Sequence, residues 1–171
     1  GYFLFPGLDG TPMGEVLKKA RMKGLVTSLD TAWDIENRWM KALQPCLPHL
    51  DYFMPSELEV GKLLGHRNAP RAARTFLSLG ASCVIIKRGG KGAYLRSREG
   101  RELRVPAFRV RVADTTGAGD CFCAGFIKGL SLGWDLDRCL RAAFAAGACA
   151  VSAVGATVGI HSFSQIRRQI G

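Results

Sequence analysis

The residues whose types and spacing could do chemistry lie together in Asp114-Thr115-Thr116-Gly117-Ala118-Gly119-Asp120. After them Phe122, Phe126, Ile127, Leu130 and Leu132 recur at the spacing of an amphipathic helix, which predicts that those side chains form its buried face. Two glycines and an alanine therefore fall where a helix begins. A helix start carries unpaired amide donors and positive dipole character, and glycine lets a ligand come close to the backbone. The result is a ready-made anion site, with the Asp120 carboxylate at its edge, able to take a proton from a group that attacks the anion. An anion cradle beside a base suggests phosphoryl transfer. The bland alternative is an ordinary helix entry, since Asp and Thr are favoured caps and glycine often marks only a tight turn.

Two other stretches have chemical potential. Pro55-Ser56-Glu57-Leu58-Glu59 reads as the first turn of a helix, where serine and glutamates are favoured by capping and by the dipole. Lys87-Arg88-Gly89-Gly90-Lys91-Gly92 reads as a turn between two strands, with three cations that could meet phosphates or simply be solvated. The signature loop is not a Walker A motif, because no Gly-Lys-Ser/Thr follows four residues after a glycine. Nor is it a dinucleotide fingerprint: the third glycine would fall at Phe122, and Pro106 breaks any regular element across Val105 to Val112.

The full string Asp114 to Asp120 resembles the Asp-Thr-x-Gly-Ala-Gly-Asp signature of the ribokinase/PfkB family of sugar and nucleoside kinases. That resemblance implies a three-layer αβα, Rossmann-like, ribokinase-like fold with a mainly parallel central sheet. It covers the C-terminal, nucleotide-binding half of such a kinase, so the family's N-terminal half and lid would lie outside residues 1–171. It implies ATP-dependent transfer to a sugar hydroxyl, with Asp120 as general base and the amides of Gly117, Ala118 and Gly119 as anion hole. Glu59 matches the glutamate of the family's Asn-x-x-Glu, implying a part in holding Mg2+, while Ser56 stands where the family has asparagine. Gly89 and Gly92 match the nucleotide loop Thr-x-Gly-x-x-Gly, with Lys87 in place of the threonine. Asp114, with Thr116, would orient the loop and hold a potassium-like ion. Val151 to Ala156 is similar to the family's Val-Thr-Arg-x-Gly-Ala, which faces the signature loop; Ala153 replaces the arginine. ATP, Mg2+ and K+ are the implied cofactors, and a homodimer of the longer protein is allowed.

The elements that must position these residues can be read in order. Tyr2 to Phe5 is expected to be a short strand closed by Pro6-Gly7, and Thr11 to Met22-Lys23 a helix ended by Gly24. Leu25 to Leu29 is expected as the next strand, with Asp30-Thr31 at its C-terminal end, where parallel sheets bind ligands. Asp34 should cap a helix carrying Ile35, Trp39, Met40 and Leu43. Tyr52 to Met54 is a third strand, Arg71 to Leu79 a helix ended by Gly80, Ser82 to Ile86 a β-branched strand, and Leu103 to Val105 another. Leu136 to Val154 is almost all small residues, which predicts a helix packed closely on its neighbours; by resemblance it lies beside the adenine. Strands alternating with helices give an α/β domain.

At 171 residues the chain is one domain's worth, long enough for a sizeable core. It begins Gly-Tyr-Phe, without an initiator methionine, and is expected to be a piece of a longer polypeptide. No apolar run of membrane-spanning length and no signal peptide is visible. The six cysteines form no Cys-x-x-Cys pair and read as reduced, structural residues of a cytoplasmic protein. Isolated His49, His66 and His161 lack partners at ligand spacing. The net charge of +10 includes nine basic residues between Lys87 and Arg111 against two glutamates. Without interleaved aromatics this fits a solvated surface or ATP steering better than nucleic acid, and no membrane partner is expected. Three alternatives stay open: a nucleotide-binding module without catalysis, suggested by Ser56 and Lys87; a nucleic-acid binder, suggested by charge alone; and a nucleoside kinase.

Overall fold

A computed structural model describes residues 2–5 and 7–171. The chain forms two compact units, residues 1–88 with 94–104 and residues 89–93 with 105–171.

The first unit is built on a five-stranded sheet in the order β1 (Ser28–Leu29), β2 (Tyr52–Phe53), β3 (Cys83–Lys87), β4 (Ala93–Ser97), β5 (Glu102–Val105), whose outer tips Ala93 and Val105 fall in the second unit. The first three strands run parallel, with Ser28 opposite Tyr52 and Tyr52 opposite Cys83. The direction then reverses: the Arg98 amide donates to the Ser82 carbonyl and the Ser97 amide to the Arg101 carbonyl, tying the end of β4 to the starts of β3 and β5. Apart from Lys87, β3 is buried throughout, as an interior strand of a covered sheet should be. Helices α1 (Thr11–Met22), α2 (Trp39–Leu43), α3 (Glu57–Leu64) and α4 (Ala69–Ser78) complete the unit. Its core gathers Leu43, Leu47, Leu50, Phe53, Phe76, Val84 and Ile86, with Phe53 and Phe76 edge to face at 4.9 Å.

Three expectations fail here for local reasons. Tyr2 to Phe5 is not a strand. Tyr2 alone bridges Thr31, and Phe3 turns to φ +80°, leaving Leu4 and Phe5 exposed; Pro6 of the expected closing turn lies outside the described residues. Leu25 and Val26 are exposed, and pairing with the β2 side begins only at Thr27. There the Thr27 carbonyl takes the Asp51 and Tyr52 amides, and Asp51 Oδ2 takes the Thr27 amide at 2.8 Å. Ile35 is solvent-exposed rather than helical. Asp34 accepts the Glu36 and Trp39 amides, and with Asn37 at φ +55° the chain turns once more before α2 starts.

The second unit holds α5 (Ala118–Ser131), α6 (Leu136–Val151) and α7 (Phe163–Ile170). The buried face of α5 is Cys121, Phe122, Cys123, Gly125, Phe126 and Gly129, while Ile127 and Leu132, expected inside, are each 45% exposed. The glycines explain the difference. A Cβ on Gly125 would lie 2.7 Å from the Ala142 carbonyl oxygen, and one on Gly129 2.8 Å from Cys139 Sγ. The two helices therefore meet almost backbone to backbone, which requires the alanines of α6. The sequence reading did not anticipate α7. It packs Ile166 among Ala142, Ala145 and Ala146, beside Trp134 stacked on Phe163 at 5.9 Å. All six cysteines are buried and outside any disulfide.

Candidate functional site

In the second unit the signature loop is held from one side by its own aspartate. Asp114 Oδ1 accepts the Thr116 amide at 2.9 Å and the Thr116 hydroxyl at 2.8 Å, and Oδ2 accepts the Gly155 amide at 2.9 Å. The Thr116 and Gly155 amides, then the Thr116 hydroxyl, hold this carboxyl below the ordinary aspartate range. The Ala113 amide donates to the Val151 carbonyl at 2.7 Å, so residues 151–156 line one side of the loop. Gly117 follows at φ +72°, where a Cβ would lie 2.7 Å from Ala156 Cβ; a side chain is excluded by backbone shape and by space.

Gly117 is also the N-cap of α5, and no side chain caps that helix. The Ala118 amide donates to the Thr115 carbonyl at 3.2 Å, and the Gly119 and Asp120 amides have no backbone acceptor among the described residues. Asp120 occupies the third helical position with an exposed side chain. The arrangement leaves amide donors without backbone acceptors among the described residues next to an exposed carboxylate. The neighbouring Cys121 thiol is pushed up by burial and by the Asp120 charge, which keeps it protonated and unreactive.

A second cluster lies in the first unit, at the C-terminal ends of the parallel strands. Lys87, closing β3, places Nζ 2.6 Å from each oxygen of Asp30, just beyond β1, with the two side chains only 11% and 17% exposed. Arg88 Nε pairs with Glu57 Oε1 at 3.1 Å. Ser56 caps α3: its hydroxyl accepts the Glu59 amide at 3.2 Å, and Glu59 Oε2 accepts the Ser56 amide at 2.7 Å. Oε2 also accepts the Thr31 hydroxyl at 2.7 Å. Ser56, expected to replace an asparagine that handles metal-bound water, thus gives one acceptor position to the helix end and keeps its hydroxyl proton. Gly89 begins a short 3-10 turn, and Gly92, at φ +90°, would place a Cβ 2.1 Å from the Val105 carbonyl oxygen, so Gly92 is required by the path of its own chain.

A model of the pfkB family carbohydrate kinases matches residues 3–162. The chain belongs to that family. An ATP-dependent 6-phosphofructokinase of Thermoanaerobacterium thermosaccharolyticum is 31% identical over 135 residues, which cover 79% of this chain and 42% of that protein. Among solved structures, an Escherichia coli protein assigned as a ribokinase II, in complex with ATP and Mg2+, superposes with a TM-score of 0.81 at 34% identity. It pairs 93% of this chain with 53% of its own. The aminoimidazole riboside kinase of Salmonella enterica, complexed with aminoimidazole riboside and an ATP analogue, gives 0.82 at 30% identity over 94% of this chain and 57% of its own. The chain therefore has the ribokinase-like α/β fold and spans about half the length of these relatives.

The pfkB residues fit one expected ion better than the other. Mg2+ keeps most of its waters and takes one or two carboxylates, and Glu59 Oε1 accepts no hydrogen bond among the described residues, which suits a water-mediated hold. For a potassium-like ion, Asp114 has already received three donors against about four acceptor positions on a carboxylate. Its side chain and that of Thr116 form a loop clamp that leaves one acceptor position on Asp114 and the lone pairs of Thr116 Oγ1. Among the described residues no group of three or more His, Cys, Asp or Glu could hold a metal alone, and no helix is long and apolar enough to cross a membrane. The roles of Asp30 and Thr31 as partners of Lys87 and Glu59 had only one signal in the sequence, their place at the end of a strand.

Proposed function

We propose that the protein transfers the γ-phosphoryl group of ATP to a hydroxyl of a sugar or sugar-like molecule, this chain supplying the nucleotide-handling residues and the base. Asp120 accepts the proton of the acceptor hydroxyl as its oxygen bonds to the γ-phosphorus and the bond to the β-phosphate oxygen breaks, releasing ADP. The Gly117 and Gly119 amides at the open start of α5 stabilise charge on the transferred oxygens, with Ala118 keeping the turn that aims them; this is positioning and electrostatics. Mg2+, when bound, offsets phosphate charge, and Glu59 holds its water shell. Gly89 gives room for the nucleotide, Lys87 and Asp30 fix the end of β3 before it, and the buried reduced thiols suit a cytoplasmic enzyme. The observation that carries the reading is the exposed Asp120 carboxylate at an uncapped helix start. The ligands of the E. coli and Salmonella relatives support ATP and Mg2+, and the aminoimidazole riboside bound to the Salmonella enzyme keeps a nucleoside within the same class.

Asp120→Asn in the complete protein should lower the phosphoryl-transfer rate by roughly 10²–10⁴-fold while ATP affinity stays close to that of the wild type. Coupled detection of ADP release with a panel of sugars and nucleosides reads both. A second reading, an ATP-binding relative without catalysis, is favoured by the engagement of Lys87 with Asp30. No acceptor-stimulated ADP release from the wild type across the panel would select it.

A further inference from the structure

Thr31 is the most constrained polar side chain in the strand-end cluster. Its backbone is pinned on both sides: the Tyr2 amide donates to the Asp30 carbonyl at 2.9 Å, and the Ala32 amide to the Tyr2 carbonyl at 2.8 Å. The side chain is 5% exposed in sum with its backbone, and its hydroxyl points at Glu59 Oε2 from 28 residues away in sequence. A hydroxyl has one proton to give, and this one is given to a carboxylate rather than to a nearby carbonyl. With the Ser56 amide, it fills both acceptor positions of Oε2. A capping box alone needs only the amide. The extra donor fixes the carboxylate against rotation and leaves Oε1 as the one oxygen without a partner among the described residues.

We infer that Thr31 is a positioning residue for metal-assisted nucleotide binding: its hydroxyl locks Glu59 so that Oε1 alone faces the water shell of nucleotide-bound Mg2+. This rests on the phosphoryl-transfer reading above. Thr31 touches neither nucleotide nor metal; it acts through Glu59, as the outer partners of metal-holding carboxylates do.

The test is a calorimetric titration of the protein with Mg-ATP and, separately, with ATP in excess EDTA. Thr31→Val keeps shape and burial but removes the donor. It should weaken Mg-ATP binding by about tenfold and leave metal-free ATP binding within about twofold, whereas Thr31→Ser should restore the wild-type difference. A purely structural role would shift both titrations alike, or would move only the melting temperature. Glu59→Gln should lose the same metal-dependent increment, and adding Thr31→Val to it should cost nothing more, because the two residues act as one unit. If the valine variant does not fold, Thr31→Ala carries the same expectation. Wild-type Mg-ATP affinity in the folded variant, or full additivity with Glu59→Gln, overturns the inference while the kinase reading stands. A wild type that binds ATP equally with and without Mg2+ also overturns it alone. A wild type that binds neither form removes both.

Discussion

The helices α3 and α5 both begin beside a strand end or loop that the sequence marks as functional, and they begin in opposite ways. The start of α3 is closed: Ser56 caps it, Glu59 returns the bond, Thr31 adds a third, and Arg88 covers Glu57. The start of α5 is open: Gly117 offers no cap, the Gly119 and Asp120 amides lack a backbone acceptor among the described residues, and Asp120 is exposed. A closed start is what stability asks for, since each orphan donor costs free energy unless water or a side chain meets it. An open one is affordable only when it is braced from elsewhere, here by Asp114 and residues 151–156. The contrast separates a helix end that holds side chains from one that, in the proposed function, receives the phosphates.

The contrast can be broken from the open side first. Gly117→Val combines a left-handed backbone with a collision against Ala156, and should cost about 2–4 kcal/mol by denaturant titration. A loss under about 0.5 kcal/mol would mean that the loop relaxes freely and is not braced as described. From the closed side, Ser56→Ala should cost about 1 kcal/mol, and Mg-ATP binding should follow it only as far as Glu59 swings free. The smallest effect is electrostatic. Asp114 has its folded carboxyl held down by the Thr116 and Gly155 donors, so its contribution is fully present above the ordinary aspartate range near 4 and is lost as pH falls below that toward the lowered value. Asp114→Asn should flatten the acid limb of a stability profile measured between about pH 5 and pH 2; an unchanged acid limb would mean that the clamp does not depend on the charge.

Much of this arrangement was readable from the residues. The continuous apolar run in β3, the Ser56-to-Glu59 capping box and the small residues of α6 each state a local preference that the fold agrees with. So does the run Asp114 to Asp120 as a helix entry. What escaped was decided by distant partners. Leu25 and Val26 look like a strand, but the register is set at Thr27 by Asp51 and His49. Ile127 and Leu132 fit a helical stripe, yet Gly125 and Gly129 turn the close face of α5 toward α6 instead. The start of α7 carries a signal of its own: Ser162 accepts the Gln165 amide at 3.3 Å, the three-residue spacing of a capping box, although Gln165 Oε1 reaches back one residue further, to the His161 amide at 2.9 Å. The Thr31 to Glu59 bond had no local signal, since neither residue type nor spacing announces a contact that only the sheet creates.

The glycine crossing of α5 on α6 also has a mechanical meaning. The atoms nearest Gly125 are the Ala142 carbonyl oxygen, the Ala143 Cα and the Ala146 methyl, none of which can change rotamer to absorb a displacement, so the joint at that point behaves as a fulcrum rather than a cushion. Gly125 lies about 10 Å along the axis from the first residue of α5. A single added methyl at that point would lift the helix bodily and move its N-terminal amides, so the anion hole of the proposed function would be altered from a position outside it.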